Sequence, residues 1–352
     1  MNAGVLIVGA GPAGLAAAVE LRRLGAGRVL VAEREETPGG VPRHCAHTGF
    51  GLRDLRRVMT GAAYARRYAE AAAGAGADIR TGTTVTGWAG SRTVTMTSAR
   101  GVETVTAAAV LLATGCRERP RAARLIPGDR PSGVMTTGEL QQRVYLGGER
   151  LPGRALVVGA EHVSFSAMVT LAHAGAEVVA LVTDQPASQS YAAFSLAASL
   201  RWHAPVWTST TVRRVVGRER LAGVDLADVD LTDVDLAGVD LAEAGPDRPG
   251  PAGAGPDGGP GGRRFVPCDT LVFTGDWIPD HELARRSGAA LDPGTLGPAV
   301  DTTLETSVPL VFAAGNLVHA AETADIAALG GRHAARHIAE ALHNAAGAAG
   351  SV

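Results

Sequence analysis

Three glycines and one acid near the start of the chain have the spacing of a phosphate-binding turn. Gly9, Gly11 and Gly14 follow a short apolar run, and Glu33 ends the next one. Gly9 suits a tight turn, Gly11 lets the backbone approach a pyrophosphate, and Gly14 lets a helix pack closely against a strand. A pyrophosphate would lie on the helix N-terminus, where N–H groups and the helix dipole favour negative charge. Because an acid here can accept both hydroxyls of an adenosine ribose, the sequence predicts a dinucleotide site.

A damaged copy of this pattern runs from Ala155 to Asp184. The strand, helix and second strand are retained, and so is the first glycine, Gly159. Glu161 and Ser164 stand where the second and third glycines belong. A side chain at 161 blocks close backbone approach, and its carboxylate repels phosphate. We therefore expect the fold of this second unit to survive and its nucleotide site to be lost, which places NAD(P) in doubt.

The elements that position these residues alternate between strand and helix, which predicts an α/β fold. We expect two Rossmann-like dinucleotide-binding domains, the first split in sequence and the second inserted into it, together with a small β-meander. The expected domain boundaries are 1–120, 121–283 and 284–345. Helices are expected over about 60–74 and 323–343. The strands expected besides those of the two copies are 78–80, 83–87, 93–97 and 103–106 for the meander, and 110–114 and 308–314 as buried strands.

Composition removes several classes of chemistry. The formal net charge is −2, so nothing suggests nucleic-acid binding or a polybasic membrane surface. The chain has no lysine, which excludes Schiff-base chemistry and a Walker A site. Its three cysteines, Cys45, Cys116 and Cys268, lie far apart in sequence, so neither a metal cluster nor a disulfide scaffold is expected. The apolar N-terminus carries the glycine fingerprint rather than a leader, and no membrane-spanning run is seen. We expect a soluble, cytoplasmic protein.

A pentapeptide repeat of the form VDLAx occupies 221–241 and passes into a Gly/Pro-rich tract. Four or five copies could form one coil of a β-helix, but one coil cannot bury a core by itself. The alternative is a tandem expansion within a surface hairpin loop, followed by a disordered tract. On that interpretation the insert 218–264 could be deleted with little loss of activity.

Motifs spread along nearly the whole chain resemble the two-dinucleotide-binding-domain flavoproteins, that is, the pyridine nucleotide–disulfide oxidoreductases and their relatives. Two further segments are similar to one branch, the flavoprotein subunits of opine and amino-acid dehydrogenases and of hydrogen cyanide synthase. The general motifs are Gly9–Gly14, Glu33, Ala113–Gly115 and Phe312–Asn316, and the branch segments are Gly39–Gly51 and Phe273–Gly288.

The resemblance implies FAD as the cofactor and assigns its contacts by position. Val85 would offer backbone to adenine, and Asn316 stands where the family usually has Asp. The N-terminus of the last helix, at Thr323 and Ala324, would direct N–H groups at flavin N1 and O2 and stabilise an anionic reduced flavin. Ordinary turn and helix-capping chemistry is the alternative for these positions. The cofactor-binding candidates are Gly9, Gly11, Pro12, Ala13, Gly14, Glu33, Arg34, Gly40, Val85, Ala113, Thr114, Gly115, Gly315, Asn316, Thr323 and Ala324.

The loop after Gly40 departs from the disulfide reductases, which carry a cysteine pair there. This loop has the single thiol Cys45 between His44 and His47. Dithiol exchange is therefore not expected. Both histidines are candidates for proton transfer or for binding a carboxylate substrate, and the alternative is that they pack against FAD or cap the loop. No metal site is expected.

Three functions remain open. The first is an FAD-dependent dehydrogenase that oxidises an amino or hydroxy acid by hydride transfer and passes electrons to a partner. The second is an NAD(P)H-dependent flavin reductase, and the third is a non-catalytic FAD electron-transfer subunit. No cysteine follows Cys268, so an iron–sulfur relay would lie on another polypeptide. The expected partners are a small-molecule substrate and either a second dehydrogenase subunit or a small [2Fe–2S] protein.

Overall fold

The computed structural model describes residues 1–229 and 263–349, which form two compact units. Unit 1 contains Met1–Arg117 and the chain from Trp277 onward, and unit 2 is Glu118–Asp276. Residues 277–283, which the sequence predicts to lie in the inserted domain, belong to unit 1. There the Trp88 indole donates a 2.8 Å hydrogen bond to the Leu283 carbonyl.

The described elements follow the predicted α/β alternation. The strands are β1 (Asn2–Val8), β2 (Val29–Ala32), β3 (Thr48–Phe50), β4 (Met59–Thr60), β5 (Asp78–Arg80), β6 (Thr83–Gly90), β7 (Thr93–Ser98), β8 (Gly101–Leu112), β9 (Cys116–Glu118), β10 (Val134–Thr136), β11 (Gly153–Val158), β12 (Ala176–Val182), β13 (Val206–Trp207), β14 (Thr210–Val216), β15 (Gly223–Asp228), β16 (Arg264–Pro267), β17 (Thr270–Phe273), β18 (Trp277–Pro279) and β19 (Val311–Ala313). The helices are α1 (Pro12–Arg23), α2 (Gly61–Gly74), α3 (Thr137–Gln141), α4 (His162–Ala174), α5 (Ala192–Trp202), α6 (Glu282–Arg286) and α7 (Ala324–Ala349).

The sheet of unit 1 has a parallel part with the strand order β5-β2-β1-β8-β19. Its strands are almost continuously apolar because both faces are covered, as parallel sheets require. One face packs against α1, α2 and α7, and the other face packs against the meander side of the unit. All four residues of β2 are buried. The carboxyl ends of β1, β2, β8 and β19 therefore meet at one edge, where the predicted dinucleotide turn lies.

The predicted β-meander is smaller than expected and is built differently. The strand 78–80 is β5, which pairs in parallel with β2 and does not belong to the meander. The predicted strands 103–106 and 110–114 are one strand, β8. Its first half pairs with β7 and its second half with β1 and β19. The prediction divided β8 because its alternating first half and its apolar second half have different patterns, each of which matches a different environment.

Helices α1 and α7 pack at very short distance in unit 1. A Cβ on Gly331 would lie 2.0 Å from the Ala13 carbonyl oxygen, so only glycine allows this approach. The α1 helix begins with Pro12 in its first turn, which suits a position whose N–H has no helical partner. The contact holds the N-terminal end of α1, which follows the predicted dinucleotide turn, against α7.

Unit 2 contains a parallel sheet with the order β10-β17-β11-β12-β13 and an antiparallel sheet of β14, β15 and β16. The first VDLAx copy lies within β15, the middle strand, and both Val224 and Leu226 are fully buried. The range 218–264 is therefore not confined to a surface loop, because its deletion would remove a buried strand. The remaining repeat copies lie outside the described residues.

Candidate functional site

The predicted phosphate-binding turn combines two crowded glycines with one open glycine. Gly9 has φ +104°, and a Cβ there would lie 2.4 Å from the Ala113 carbonyl oxygen. A Cβ on Gly14 would lie 2.0 Å from the Gly9 carbonyl oxygen. A Cβ on Gly11 would meet no atom of the described chain within 4 Å. The outer glycines are thus required by packing, whereas Gly11 leaves room for a pyrophosphate above the start of α1.

Glu33 is held by the backbone of the same turn. One carboxylate oxygen accepts from the Ala10 amide at 2.7 Å, and the other accepts from the Glu35 amide at 2.9 Å. The side chain is buried, and each oxygen keeps a lone pair for a ribose hydroxyl. The next residue, Arg34, is exposed, and its guanidinium lies 3.8 Å from the Glu35 carboxylate.

The strand that carries Val85 begins beside this acid. The Thr83 amide donates a 2.8 Å hydrogen bond to the Glu33 carbonyl, which places the start of β6 at the end of β2. Val85 follows two residues later and is buried. At the end of β8, the Thr114 hydroxyl donates to the Asp280 carbonyl at 2.8 Å. Gly115, with φ +76°, also contacts this segment, because its carbonyl accepts from the Asp280 amide at 2.9 Å.

The return segment after β19 reaches the first turn. A Cβ on Gly315 would lie 2.8 Å from the Ala13 Cβ. The Asn316 side-chain amide donates to the carbonyls of Ala320 and Glu322, both at 3.0 Å. These bonds shape the turn that leads into Thr323 and α7, which corresponds to the turn role considered for Asn316. The amide oxygen of Asn316 is left as the atom that could accept from a ligand hydroxyl.

The histidine loop packs on the open glycine. The Gly39 amide donates to the Ala10 carbonyl at 2.7 Å, and a Cβ on Gly40 would lie 2.9 Å from the Gly11 Cα. His44, one short helical turn later, is only 4 % exposed. Neither of its ring nitrogens has a hydrogen-bond partner among the described residues. Burial, and secondarily the charge of Arg43, lower the pKa of His44 to about 4.

His47 and Cys45 have different surroundings from His44. The His47 ring is half-buried, with Nδ1 2.9 Å from the Thr48 carbonyl and its centroid 5.3 Å from that of Phe50. Cys45 is buried, and its Sγ lies 3.5 Å from the Val41 carbonyl oxygen. Of the two candidate bases, His47 is the accessible one, whereas His44 presents unsatisfied nitrogens inside the fold.

The β3–β4 ribbon and its loop, residues 48–60, were not predicted, although they lie against the N-terminus of α7. Asp325, in the first turn of α7, accepts from the amides of Gly51 and Arg53, both at 2.8 Å. The Asp54 carboxylate accepts from the hydroxyls of Tyr64 at 2.7 Å and Tyr68 at 2.6 Å. The only signal in the sequence was an acid two residues after Thr323, which is typical of a first helical turn.

The second turn is filled by its own side chains. The Thr274 hydroxyl lies 2.5 Å from a Glu161 carboxylate oxygen and 2.7 Å from the Ser164 hydroxyl. A Cβ on Gly159 would lie 1.9 Å from the Thr274 oxygen, and a Cβ on Gly275 would lie 2.4 Å from a Glu161 oxygen. The carboxylate thus occupies the mouth of the turn, where the intact copy is open above Gly11.

The segment after β12 folds over the same turn. The Ser188 hydroxyl and the Gln189 amide donate to the Ala160 carbonyl at 2.8 and 3.2 Å. The Tyr191 ring packs edge-on against His162, the first residue of α4, with centroids 4.8 Å apart. The N-terminus of α4 is thus covered both by the segment 188–191 and by the Glu161 carboxylate.

Two further charged residues at this edge of unit 2 were missed by sequence reasoning. The Arg124 guanidinium donates to the carbonyls of Thr274 at 2.8 Å and Gly275 at 3.0 Å. Glu118 is buried and accepts from the Gly138 amide at 2.7 Å. Burial raises the pKa of Glu118, and the negative charge of Glu161 raises it further.

The family model described as pyridine nucleotide-disulphide oxidoreductase matches residues 3–346. The chain belongs to that family. Its members are flavoprotein oxidoreductases that bind FAD and use NAD(P) as co-substrate. The turn above Gly11 and the amide-bound Glu33 fit FAD, whereas the filled turn at Glu161 does not fit NAD(P).

Two curated proteins resemble part of the chain. Hydrogen cyanide synthase subunit HcnB of Pseudomonas aeruginosa is 34% identical over 164 residues, which are 45% of this chain and 34% of that protein. An opine oxidase subunit of Agrobacterium tumefaciens is 34% identical over 166 residues, which are 44% of this chain and 31% of that protein. The similarity thus spans about a third of each relative's length.

Solved structures show the same fold as this family member over almost the whole chain. The thioredoxin reductase of T. acidophilum has a TM-score of 0.72 at 20% identity and covers 96% of this chain and 98% of its own. The thioredoxin reductase of Lactococcus lactis has a TM-score of 0.73 at 17% identity and covers 97% and 99%. The predicted two-domain α/β fold is confirmed. Among the helices described, none is both long and apolar enough to span a bilayer.

Proposed function

We propose that the protein is an FAD-dependent dehydrogenase that oxidises an amino or hydroxy acid and passes the electrons to a partner subunit. The observation that carries this proposal is the Glu161 carboxylate bound to Thr274 in the mouth of the second turn. A pyrophosphate at this turn would meet a negative charge and lose access to the helix N-terminus. This supports a reductant other than NAD(P)H.

Dithiol chemistry is also disfavoured as the source or destination of electrons. The loop that packs on Gly11 carries one thiol, Cys45, which is buried with its sulfur directed at the Val41 carbonyl. A disulfide reductase needs two cysteines within bonding reach near the flavin. The chain thus keeps the family fold, but it differs from a nicotinamide-dependent disulfide reductase at both the nicotinamide turn and the cysteine pair.

The residues of unit 1 supply binding and proton transfer for the proposed reaction. FAD, when bound, supplies the two-electron acceptor for a hydride from the substrate. Gly11 admits the pyrophosphate and Glu33 orients the ribose. His47 is accessible, so it is assigned the proton from the substrate amine or hydroxyl. His44, neutral because its pKa is about 4, is assigned a hydrogen bond to the bound cofactor or to a substrate carboxylic group.

The relatives support a partner in electron transfer. The two curated proteins are named as subunits, of hydrogen cyanide synthase and of opine oxidase. The second candidate function is an electron-transfer subunit without a substrate of its own, which needs no histidine base, and the burial of His44 is compatible with it.

Anaerobic reduction tests the proposal. The FAD-loaded protein is mixed with NADH, with NADPH, and with panels of amino and hydroxy acids, while the visible flavin band is followed. We expect bleaching by at least one acid and none by either nicotinamide. Fast bleaching by NADH would overturn the proposal. Bleaching by neither group would favour the electron-transfer subunit, and His47→Asn, which should slow reduction by an acid at least tenfold, separates a chemical role from a structural one.

A further inference from the structure

We propose that the β3–β4 loop, residues 51–58, is the docking surface for an acidic protein that accepts electrons from the flavin. The inference rests on the proposed function and specifies the surface and the chemistry of the partner. It is drawn from the exposed side chains of the loop, its charge, its rigidity and its position beside α7.

Two apolar side chains of the loop are exposed to solvent, whereas a third packs on the interior. Leu52 is 59% exposed and Val58 is 62% exposed. Leu55, between them, packs against the core that covers the helical face of the unit 1 sheet. Leu55 therefore packs on the interior, whereas Leu52 and Val58 of the same loop stay exposed at the surface. Apolar centres flanked by charge are typical of protein interfaces.

The charge on the loop is strongly positive. Arg53, Arg56 and Arg57 are exposed, and in the described ranges none of the three has an acidic partner within 4.0 Å, although arginines elsewhere, such as Arg143, do. The one acid of the loop, Asp54, is turned inward to the tyrosine hydroxyls. Three exposed guanidinium groups on the same loop as two exposed apolar side chains are complementary to an acidic partner surface with an apolar patch.

The loop backbone is fixed before any partner binds. Asp325 accepts from the amides of Gly51 and Arg53, and the Asp54 carboxylate joins the loop to α2. Arg56 has φ +53°, an uncommon conformation for a residue other than glycine. Such a conformation persists where the surroundings hold it. A surface that is already ordered loses less entropy on binding, which favours recognition.

The position of the loop suits electron transfer. Asp325 lies in the first turn of α7, whose N-terminus is the expected neighbour of the flavin ring in this family. The loop is bonded directly to that turn at Gly51 and Arg53, each at 2.8 Å. A partner seated on the arginines would therefore be held beside the cofactor. Each two-electron reduced flavin would reduce two one-electron acceptors and release its protons to solvent.

Two other occupants fit less well. A second copy of this chain in a two-fold contact would bring the three arginines against themselves, which costs free energy. An anionic membrane attracts arginine, but three arginines and two small apolar side chains fall short of the paired signals that stable anchoring takes. The observations therefore favour a protein with acidic residues around an apolar patch.

The test uses the FAD-loaded protein with soluble cytochrome b5 as an acidic haem acceptor and cytochrome c as a basic counterpart. Dissociation constants are measured with both proteins oxidised, at low and high salt. Haem reduction is then followed after the flavin has been reduced by one equivalent of dithionite, so that no excess dithionite reduces the haem directly. The variants are Arg53→Glu with Arg57→Glu, Arg53→Lys with Arg57→Lys, and Leu52→Asn. The control, Arg100→Glu with Arg213→Glu, makes the same change in net charge at exposed arginines elsewhere.

We expect the wild type to bind cytochrome b5 at least tenfold more weakly at high salt, because screening removes the attraction. The glutamate variant should bind at least tenfold more weakly at low salt, Leu52→Asn severalfold more weakly, and the lysine variant and the control within twofold of wild type. An equal loss in the control, or no loss in the glutamate variant, would overturn the proposal. The proposal would also be overturned if the wild type formed a homodimer, or bound phosphatidylserine vesicles, and only the glutamate variant lost that property. Because dithionite replaces the substrate, failure here is distinguishable from failure of the proposed dehydrogenase activity.

Discussion

The Glu161 carboxylate and the Thr274 hydroxyl, 2.5 Å apart, close the second nucleotide turn with a hydrogen bond between β17 and the start of α4. The Ser164 hydroxyl joins the same group at 2.7 Å from Thr274. Glu161 and Ser164 occupy the positions at which the intact turn of unit 1 has Gly11 and Gly14. The residues that replace the two glycines therefore close the second turn themselves.

Replacing both residues by glycine should reopen the turn. We expect Glu161→Gly with Ser164→Gly to bind NADH at least tenfold more tightly than the wild type, because the change removes a negative charge and exposes the N-terminal amides of α4. Titration calorimetry of the FAD-loaded proteins measures the change. Glu177→Gln, an exposed site in unit 2, removes one negative charge and is the control. Micromolar binding of NADH by the wild type would contradict the closed-turn interpretation.

Glu33 should be sensitive to loss of a single oxygen. Its two oxygens accept from different amides, those of Ala10 and Glu35. Glu33→Gln keeps one acceptor and turns an NH₂ group toward the other amide, which leaves a buried donor unsatisfied at a cost of roughly 1–3 kcal/mol. We expect FAD affinity to fall ten- to a hundredfold and the Tm without FAD to fall as well. Glu36→Gln, an exposed neighbour with the same charge change, should leave both quantities unchanged.

The first turn could be predicted from sequence because it is local. The three glycines lie within six residues of one another, and their spacing encodes the turn even though Gly9 also approaches the Ala113 carbonyl, which is far away in sequence. The partner of Glu161 could not be predicted, since Thr274 lies 113 residues away. Asp325 and Gly51 are separated by 274 residues, and neither position has a distinctive pattern. The meander was misjudged for the same reason, because the two halves of β8 are defined by different long-range neighbours.

Asp325 should determine the order of the β3–β4 loop. Asp325→Asn removes one of the two acceptors for the amides of Gly51 and Arg53. We expect hydrogen exchange in the 48–60 peptide to accelerate about tenfold, which corresponds to about 1.4 kcal/mol of lost local stability. Mass spectrometry of exchange measures this peptide against the rest of unit 1. Glu322→Gln, just outside the helix, should change nothing there, and equal exchange in both variants would argue against the clamp.

His44 should make the protein acid-sensitive below neutral pH. Burial lowers the pKa of His44 to about 4 in the folded chain, whereas the unfolded chain titrates near the ordinary value of 6.5. Between these values the unfolded state binds the proton, so stability falls as pH falls, by about 1.4 kcal/mol per pH unit. The stabilisation is complete above the unfolded value. Urea denaturation of the FAD-free protein at several pH values measures this slope of the free energy of unfolding against pH. The slope should fall by about 1.4 kcal/mol per pH unit in His44→Asn, which removes the titrating group. It should be unchanged in His343→Asn, an exposed control.

The antiparallel sheet of unit 2 fixes which part of the insert can be removed. Leu226 pairs with Arg264 across β15 and β16, so the strand ends lie side by side and a four-residue turn can join them. We expect replacement of residues 230–262 by such a turn to leave FAD content and Tm close to those of the full chain. Removal of 218–264 should instead lower the Tm sharply, because it deletes the fully buried Val224 and Leu226. Equal Tm values for the two deletions would mean that β15 contributes nothing to the unit.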